Sequence, residues 1–282
     1  MPSPHGYEPP AGPRPPVALT IAGFDPSSGA GITADLSVFA AHGLYGTAAI
    51  TATTVQSTLG VASIRAADPA WLQRTLEYVS SDLPAAGVKI GILATDPIVR
   101  VISDFLRTAP RRVPIVYDPV LHASSGMELL DPSALRRIHA ELLPLVGWIT
   151  PNWSELSILT GERVRTLEEA SRAADLLGKP HPGLYIVATA GDQDEPIDLL
   201  RTPGGAVQSF IGERVETTST HGTGCAFASA LLSRLVRGEA PAKAVAHAKT
   251  YVAEAMRSAP GLGHGRGPLN LLWPLRAGRR PH

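Results

Sequence analysis

Thr220-His221-Gly222-Thr223-Gly224-Cys225, running straight into Ala226-Phe227-Ala228-Ser229-Ala230-Leu231-Leu232, decides how this chain is read. Two glycines and two threonines ahead of an apolar helical run describe an anion site. Glycine lets the backbone approach a ligand closely. The first N–H groups of the helix have no partner within it and carry the positive end of its dipole. Cys225, the only cysteine, stands on that rim, where a helix N-terminus lowers a thiol pKa toward neutrality. A phosphate cradle and a candidate proton acceptor thus lie side by side, which points to phosphoryl transfer. The competing reading is a glycine turn before a helix, with a small thiol packed in the core.

Bulk properties narrow the field. The chain has 282 residues, 44% of them apolar and 18% charged, enough for a large buried core. Acidic and basic residues number 25 each, so the formal net charge is zero, which argues against nucleic acid or an anionic membrane as partner. A single cysteine excludes an internal disulfide and fits a cytoplasmic protein. No apolar run approaches the roughly 18 residues of a membrane helix, and the N-terminus lacks the apolar core of a signal peptide.

Residues 1–16, with seven prolines between Pro2 and Pro16, read as a disordered leader. Residues 274–282 read as a short disordered tail, which leaves 17–273 as a single domain. Within it strand and helix alternate. Val17–Gly23, Thr47–Gln56, Val88–Leu93, Val113–Val120, Trp148–Thr150 and Leu184–Thr189 read as strands. Gly31–Ala41, Gly224–Arg237 and Pro241–Ser258 read as helices. Asp68-Pro69, Asp96-Pro97 and Asp131-Pro132 each open a helix, aspartate as N-cap and proline at the first helical position. Thr166-Leu167-Glu168-Glu169 is a capping box. Ile197–Arg201 and Ala206–Ile211 form a hairpin. The pattern predicts an α/β fold with a mostly parallel central sheet and helices on both faces. Ligands in such sheets bind beyond the carboxyl ends of the strands.

The chemistry-bearing residues fall just after strands. Ala22-Gly23-Phe24-Asp25-Pro26-Ser27-Ser28-Gly29-Ala30-Gly31-Ile32 is a glycine-rich turn, but not the dinucleotide fingerprint. Asp35 follows in the first turns of the next helix, facing either a ligand or only the dipole. Gln56 offers donor and acceptor together, as an aminopyrimidine edge requires, or is a plain strand-end glutamine. Asp118, with Asn152 and Glu155 at the neighbouring strand end, suits Mg²⁺ and its waters; caps and turns are the alternative. None of the four lysines stands in a Walker A sequence, so any nucleotide is held by another cradle.

With these segments in order, from about Val17 to Trp273, the chain resembles the hydroxymethylpyrimidine/phosphomethylpyrimidine kinases of the ribokinase-like superfamily. Lys89-Ile90-Gly91, Asp118-Pro119-Val120, Ile149-Thr150-Pro151-Asn152 with Glu155, and Gly263-His264-Gly265 with Gly267-Pro268 add to the two glycine motifs. The resemblance implies a ribokinase-like fold, a homodimer, and MgATP-dependent phosphorylation of a hydroxymethylpyrimidine and its monophosphate for thiamine biosynthesis. It places Gly23, Asp35, Gln56 and Ile92 around the pyrimidine, and Asp118 and Glu155 at Mg²⁺. Asn152, Thr189, Thr220, His221 and Lys249 fall to ATP, and Gly222, Thr223, Gly224 and Cys225 to catalysis. One departure stands out: where relatives carry lysine-glycine-glycine-histidine, this chain has Thr189-Ala190-Gly191-Asp192, so Thr189 still offers a hydroxyl donor and Lys249 or Arg266 is the candidate source of the missing charge. Rival readings are a pyridoxal kinase, a kinase of the second step alone, and a pyrimidine-binding regulator without turnover.

Overall fold

The computed structural model describes residues 13–108, 112–122, 126–127, 129–191, 193 and 195–276. Nine strands form one sheet in the order β3-β2-β1-β4-β5-β6-β7-β8-β9. Its centre is β1 (Val17–Phe24), β2 (Tyr45–Ser57), β4 (Gly87–Ile90), β5 (Ile115–Tyr117), β6 (Trp148–Ile149) and β7 (Tyr185–Ala188), all parallel. Antiparallel β3 (Gly60–Ala66) edges one side, and the hairpin of β8 (Ile197–Arg201) and β9 (Val207–Ile211) edges the other.

Side-chain alternation along the strands divides the core in two. In β1, Leu19 and Ile21 face one layer while Ala18 faces the other. Ile115 and Tyr117 against Val116 repeat the division in β5, and Ile186 and Ala188 against Val187 repeat it in β7. The first layer packs α2 (Pro69–Asp82), α3 (Asp96–Thr108), α5 (Trp153–Thr160) and α6 (Leu167–Gly178). The second packs α1 (Gly31–Ala41), α7 (Thr223–Val236) and α8 (Pro241–Arg257). In α7, every residue from Cys225 to Ser233 is buried.

The chain runs outward from β1 to β3, then returns to place β4 on the other side of β1. That reversal opens a crevice at the carboxyl ends of β1 and β4.

Several local expectations need correction. The β3 strand was not anticipated, because Gly60-Val61-Ala62-Ser63-Ile64 is short and mixed in polarity. Asp96 is the first residue of α3 rather than its cap. Asp131-Pro132 opens only a turn; α4 (Ala134–Arg137) follows without a side-chain cap and passes into wider and tighter helical turns over Ile138–Leu145. The tail begins later than residue 274, because α9 covers Trp273–Arg276; residues 277–282 lie outside the described residues. So do residues 1–12 of the leader, whereas Pro16 accepts a hydrogen bond from Tyr45 N at 2.9 Å.

The capping box of α6 is as expected: Thr166 Oγ1 accepts from Glu169 N at 3.2 Å, and the Glu169 carboxylate accepts from Thr166 N at 3.3 Å. Thr166→Ala removes the acceptor for one otherwise unpaired N–H and should cost about 1 kcal/mol. Urea denaturation will show this as a lower midpoint with an unchanged slope.

Candidate active site

At the sheet reversal lies a cavity of about 790 Å³, within the size range of small-molecule sites. Gly23 at the end of β1, Gln56 at the end of β2 and Ile92 after β4 line one part of it. Asp118 after β5, Asn152 and Glu155 after β6, and Thr189 after β7 line the rest, with Thr220 to Cys225 closing over them.

The glycine cradle is built as its sequence implies. Gly222 caps α7 in the left-handed conformation, φ +82°, and a Cβ there would lie 1.9 Å from Gly29 O. Glycine is therefore required. Thr223, Gly224 and Cys225 are the first residues of α7, so their N–H groups are free of helical partners. A Cβ on Gly224 would meet only Asp118 Oδ1, at 3.7 Å.

Behind the cradle is a charge network that the sequence reading missed. Lys89, fully buried on β4, lies 3.2 Å from Asp35 Oδ2 and 3.4 Å from Asp118 Oδ2. Asp35 also accepts hydrogen bonds from Thr20 Oγ1 at 2.6 Å and Ser229 Oγ at 2.7 Å. This corrects the expectation for Asp35: it is fully buried and absent from the cavity wall, where it was placed beside the pyrimidine. Fixed by Thr20 on β1 and Ser229 on α7, Asp35 in turn holds Lys89 on β4, which does reach the wall. The signal was present, since a lone lysine in the apolar run Val88–Leu93 has to be buried and paired.

Burial disfavours the charged forms of Lys89, Asp118, Glu155 and Cys225. Against that, the neighbouring carboxylates of Asp35 and Asp118 hold the Lys89 pKa above the ordinary lysine value. Asp118 is raised by burial, only partly offset by Lys89. Glu155 is pushed well up by burial and by Asp118. Burial also raises the Cys225 thiol, although Lys89 draws it down. The thiol is therefore protonated in the resting site, opposite to the lowering expected from its helix position.

Asn152 and Glu155 make a reciprocal capping box at the start of α5: Asn152 Oδ1 accepts from Glu155 N at 2.9 Å, and Glu155 Oε2 accepts from Asn152 N at 2.8 Å. The cap reading and the cavity-wall reading both hold for them. Lys249 is different. Its ammonium donates to Asp198 Oδ2 at 2.7 Å and does not line the cavity, where it was expected beside ATP. Asp198 Oδ1 in turn accepts from Ala190 N at 3.0 Å, so the pair fixes the loop after β7. Arg266 does line the cavity. Asp192 lies outside the described residues.

His221, expected beside ATP, turns its ring toward Asp25 and Gln56. Its Nε2 is 2.7 Å from Asp25 Oδ2 and 3.0 Å from the Gln56 carboxamide. Asp25 is a second residue the sequence reading passed over, although its motif was noted. Trp153 packs in the core while one edge borders the cavity.

The family model for phosphomethylpyrimidine kinase matches residues 25–270. A hydroxymethylpyrimidine/phosphomethylpyrimidine kinase of Staphylococcus aureus is 35% identical over 260 residues, covering 91% of this chain and 94% of that protein. The structure of phosphomethylpyrimidine kinase from Clostridium difficile superposes with a TM-score of 0.74 at 33% identity, covering 85% of this chain and 99% of that one. Pyridoxal kinase from Staphylococcus aureus, solved with AMP-PCP and pyridoxal, gives 0.81 at 27% identity, with 92% and 94% covered. Ribokinase-like fold and site together define a small-molecule kinase. The chain belongs to the phosphomethylpyrimidine kinase family.

The network around Lys89 generates a pH-dependent expectation. Lys89's stabilising contribution persists below the ordinary lysine pKa and is lost only in strong alkali, because its folded pKa is raised. Lys89→Met strands two buried carboxylates, at a cost of about 3–5 kcal/mol when both are ionised. The deficit relative to the unaltered protein grows as pH rises above the ordinary carboxylate range and shrinks toward pH 5. Urea unfolding of both proteins at pH 5 and pH 8 measures it. An equal deficit at both would show that Lys89 acts by packing alone.

Proposed function

We propose that this protein transfers the γ-phosphoryl group of ATP to a hydroxymethylpyrimidine and then to its monophosphate, for thiamine biosynthesis. The observation that carries the reading is the free amide row of Thr223, Gly224 and Cys225 set over Asp118 beside a ring-sized recess. Such chemistry needs positioning and charge neutralisation more than covalent catalysis.

Gly23, Gln56 and Ile92 surround the ring, and its alcohol or phosphate points at the cradle. The amides of residues 223–225 receive the transferred group, and Thr189, Thr220 and Asn152 border the nucleotide phosphates. The donor set fits Mg²⁺: Asp118 Oδ2 is buried, 3.4 Å from the Lys89 ammonium and without a hydrogen-bond partner among the described residues, and Glu155 shares its wall. No group of three metal-ligating side chains forms among the described residues, as suits an ion that takes one or two carboxylates plus phosphates and waters. When bound, the ion neutralises phosphate charge.

The first acceptor is a neutral alcohol and has a proton to lose. Cys225 donates its thiol proton to Asp118, and Asp118 has a raised pKa. The alcohol proton passes to Sγ as the thiol proton passes to Asp118 Oδ1, the oxygen turned toward Gly224, which leaves Oδ2 for the ion. The second acceptor is already anionic and needs no such transfer.

A pyridoxal kinase is the second reading, favoured by the closer superposition on that fold. A cytoplasmic homodimer completes the proposal. Val55 and Leu59, exposed along β2 and its turn, offer an apolar face for pairing.

Product analysis with MgATP tests the reading: hydroxymethylpyrimidine, its monophosphate and pyridoxal are supplied in separate reactions. Diphosphate from the monophosphate is the expected outcome. Turnover of pyridoxal alone supports the second reading, and tight pyrimidine binding without any turnover makes the protein a binding regulator. In the same assay, Cys225→Ala should slow phosphorylation of the alcohol by about 10²–10⁴-fold and that of the monophosphate by less than about tenfold. Equal losses would assign Cys225 to the shape of the cradle.

A further inference from the structure

Asp25 has every acceptor site filled. Oδ1 accepts from Ser27 N at 2.8 Å and Ser27 Oγ at 2.7 Å, and Oδ2 accepts from Ala30 N at 2.9 Å. Burial alone would raise its pKa, but hydrogen bonds from His221 and Ser27 outweigh it and the carboxyl stays low and ionised. A carboxylate 2.7 Å from His221 Nε2 requires that nitrogen to carry a proton and donate. The side of the Gln56 carboxamide that faces Nε2 at 3.0 Å is its nitrogen, so donor meets donor. The other end lies 3.2 Å from Thr54 Oγ1. That hydroxyl has one proton, and Phe24 O accepts it at 3.0 Å, which leaves only lone pairs for Gln56. Both ends demand the same change: amide oxygen toward His221, where it shares the one Nε2–H with Asp25 in a three-centre bond, and amide nitrogen toward Thr54.

From this proton count we infer that Asp25 and His221 are positioning residues that lock the Gln56 carboxamide and so select the ring substrate. With the lock in place, Gln56 has one oxygen lone pair and one N–H left for the cavity. They match a ring edge carrying a donor beside an acceptor, the cyclic amidine of an aminopyrimidine. A hydroxypyridine edge lacks that pairing. The seat of the His221 ring is itself specified. A Cβ on Gly29 would lie 2.2 Å from His221 Cδ2, and His221 N donates to Gly267 O at 3.1 Å. The inference rests on the pyrimidine reading proposed above and adds the device that enforces it.

The test couples a protein change to a ligand change. Hydroxymethylpyrimidine and its analogue lacking the 4-amino group are titrated calorimetrically into the full chain and into His221→Phe, His221→Gln and Thr54→Val. The unaltered protein should favour the amino ring by about tenfold or more, as one well-made hydrogen bond allows. His221→Phe should reduce the preference below about threefold, and Thr54→Val should reduce it in the same direction. His221→Gln, which keeps a donor at the Nε2 position, should restore it. ADP affinity within about twofold throughout shows that the cradle is intact. An undiminished preference in both His221→Phe and Thr54→Val overturns the lock. Separately, ¹⁵N shifts of His221 in the ligand-free chain should show a protonated Nε2, and a bare Nε2 overturns the inference whatever the ring does. If the unaltered protein binds neither ring while Nε2 is protonated, the pyrimidine reading fails, and ring selection fails with it.

Discussion

One buried cation organises this molecule. Lys89 stands on a central strand with no exposed surface, and an isolated ammonium there is far too costly to keep. Asp35 and Asp118 flank it, so that helix α1, strand β4 and the end of strand β5 are held together by charge as well as by packing. The network sets two carboxyl groups against one ammonium beneath the cradle. That arrangement suits a site whose other side is lined by helix N-terminal amides and where a metal–phosphate complex is the proposed occupant. Burial keeps the proton on the Cys225 thiol, and the neighbouring carboxylates add to it, because a thiolate would be a further anion beside them.

How much of this was legible in the sequence depends on whether the signal was local. The hairpin at Thr202-Pro203-Gly204-Gly205, the capping box at Thr166 and the glycine cap at Gly222 are local chemistry, and each was read from a few consecutive residues. Asp35 was misread because its position in the first turns of a helix says nothing about which face it takes. Its face is set by Thr20 and Ser229, 15 and 194 residues away. Lys249 was misread for the same reason, since Asp198 is 51 residues distant. Lys89 could have been recovered. Strand alternation places it opposite Val88 and Ile90, toward α1 and α7, and an acid on α1 was the natural partner.

The fold does not choose the substrate. Superposition is closer on a pyridoxal kinase, while sequence identity is higher with the pyrimidine kinases. The first measures backbone shape and the second samples side chains, and function resides in the side chains of the site. For two rings of similar size that each carry a hydroxymethyl group, the discriminating surface is a single donor and acceptor pair. In the reading proposed above that pair belongs to Gln56, which is faced by a histidine held 2.7 Å from an aspartate.

The loop after β7 shows how a departure from the family pattern is absorbed. Thr189 brings no charge, yet its backbone is tied down twice: its N–H donates to Pro151 O at 2.9 Å, and the next N–H donates to Asp198. Lys249 neutralises that aspartate from behind. The only lysine near this loop is thus spent on its geometry. Positive charge on the cavity wall comes instead from Lys89 at the floor and Arg266 at the rim. A charge-assisted contact from a flexible lysine is worth about 1.5–3 kcal/mol, but a backbone already fixed at Thr189 and Ala190 loses less entropy when phosphate arrives beside it. The two effects oppose each other, so a threonine here is compatible with turnover as long as the Asp198–Lys249 pair keeps the loop in place.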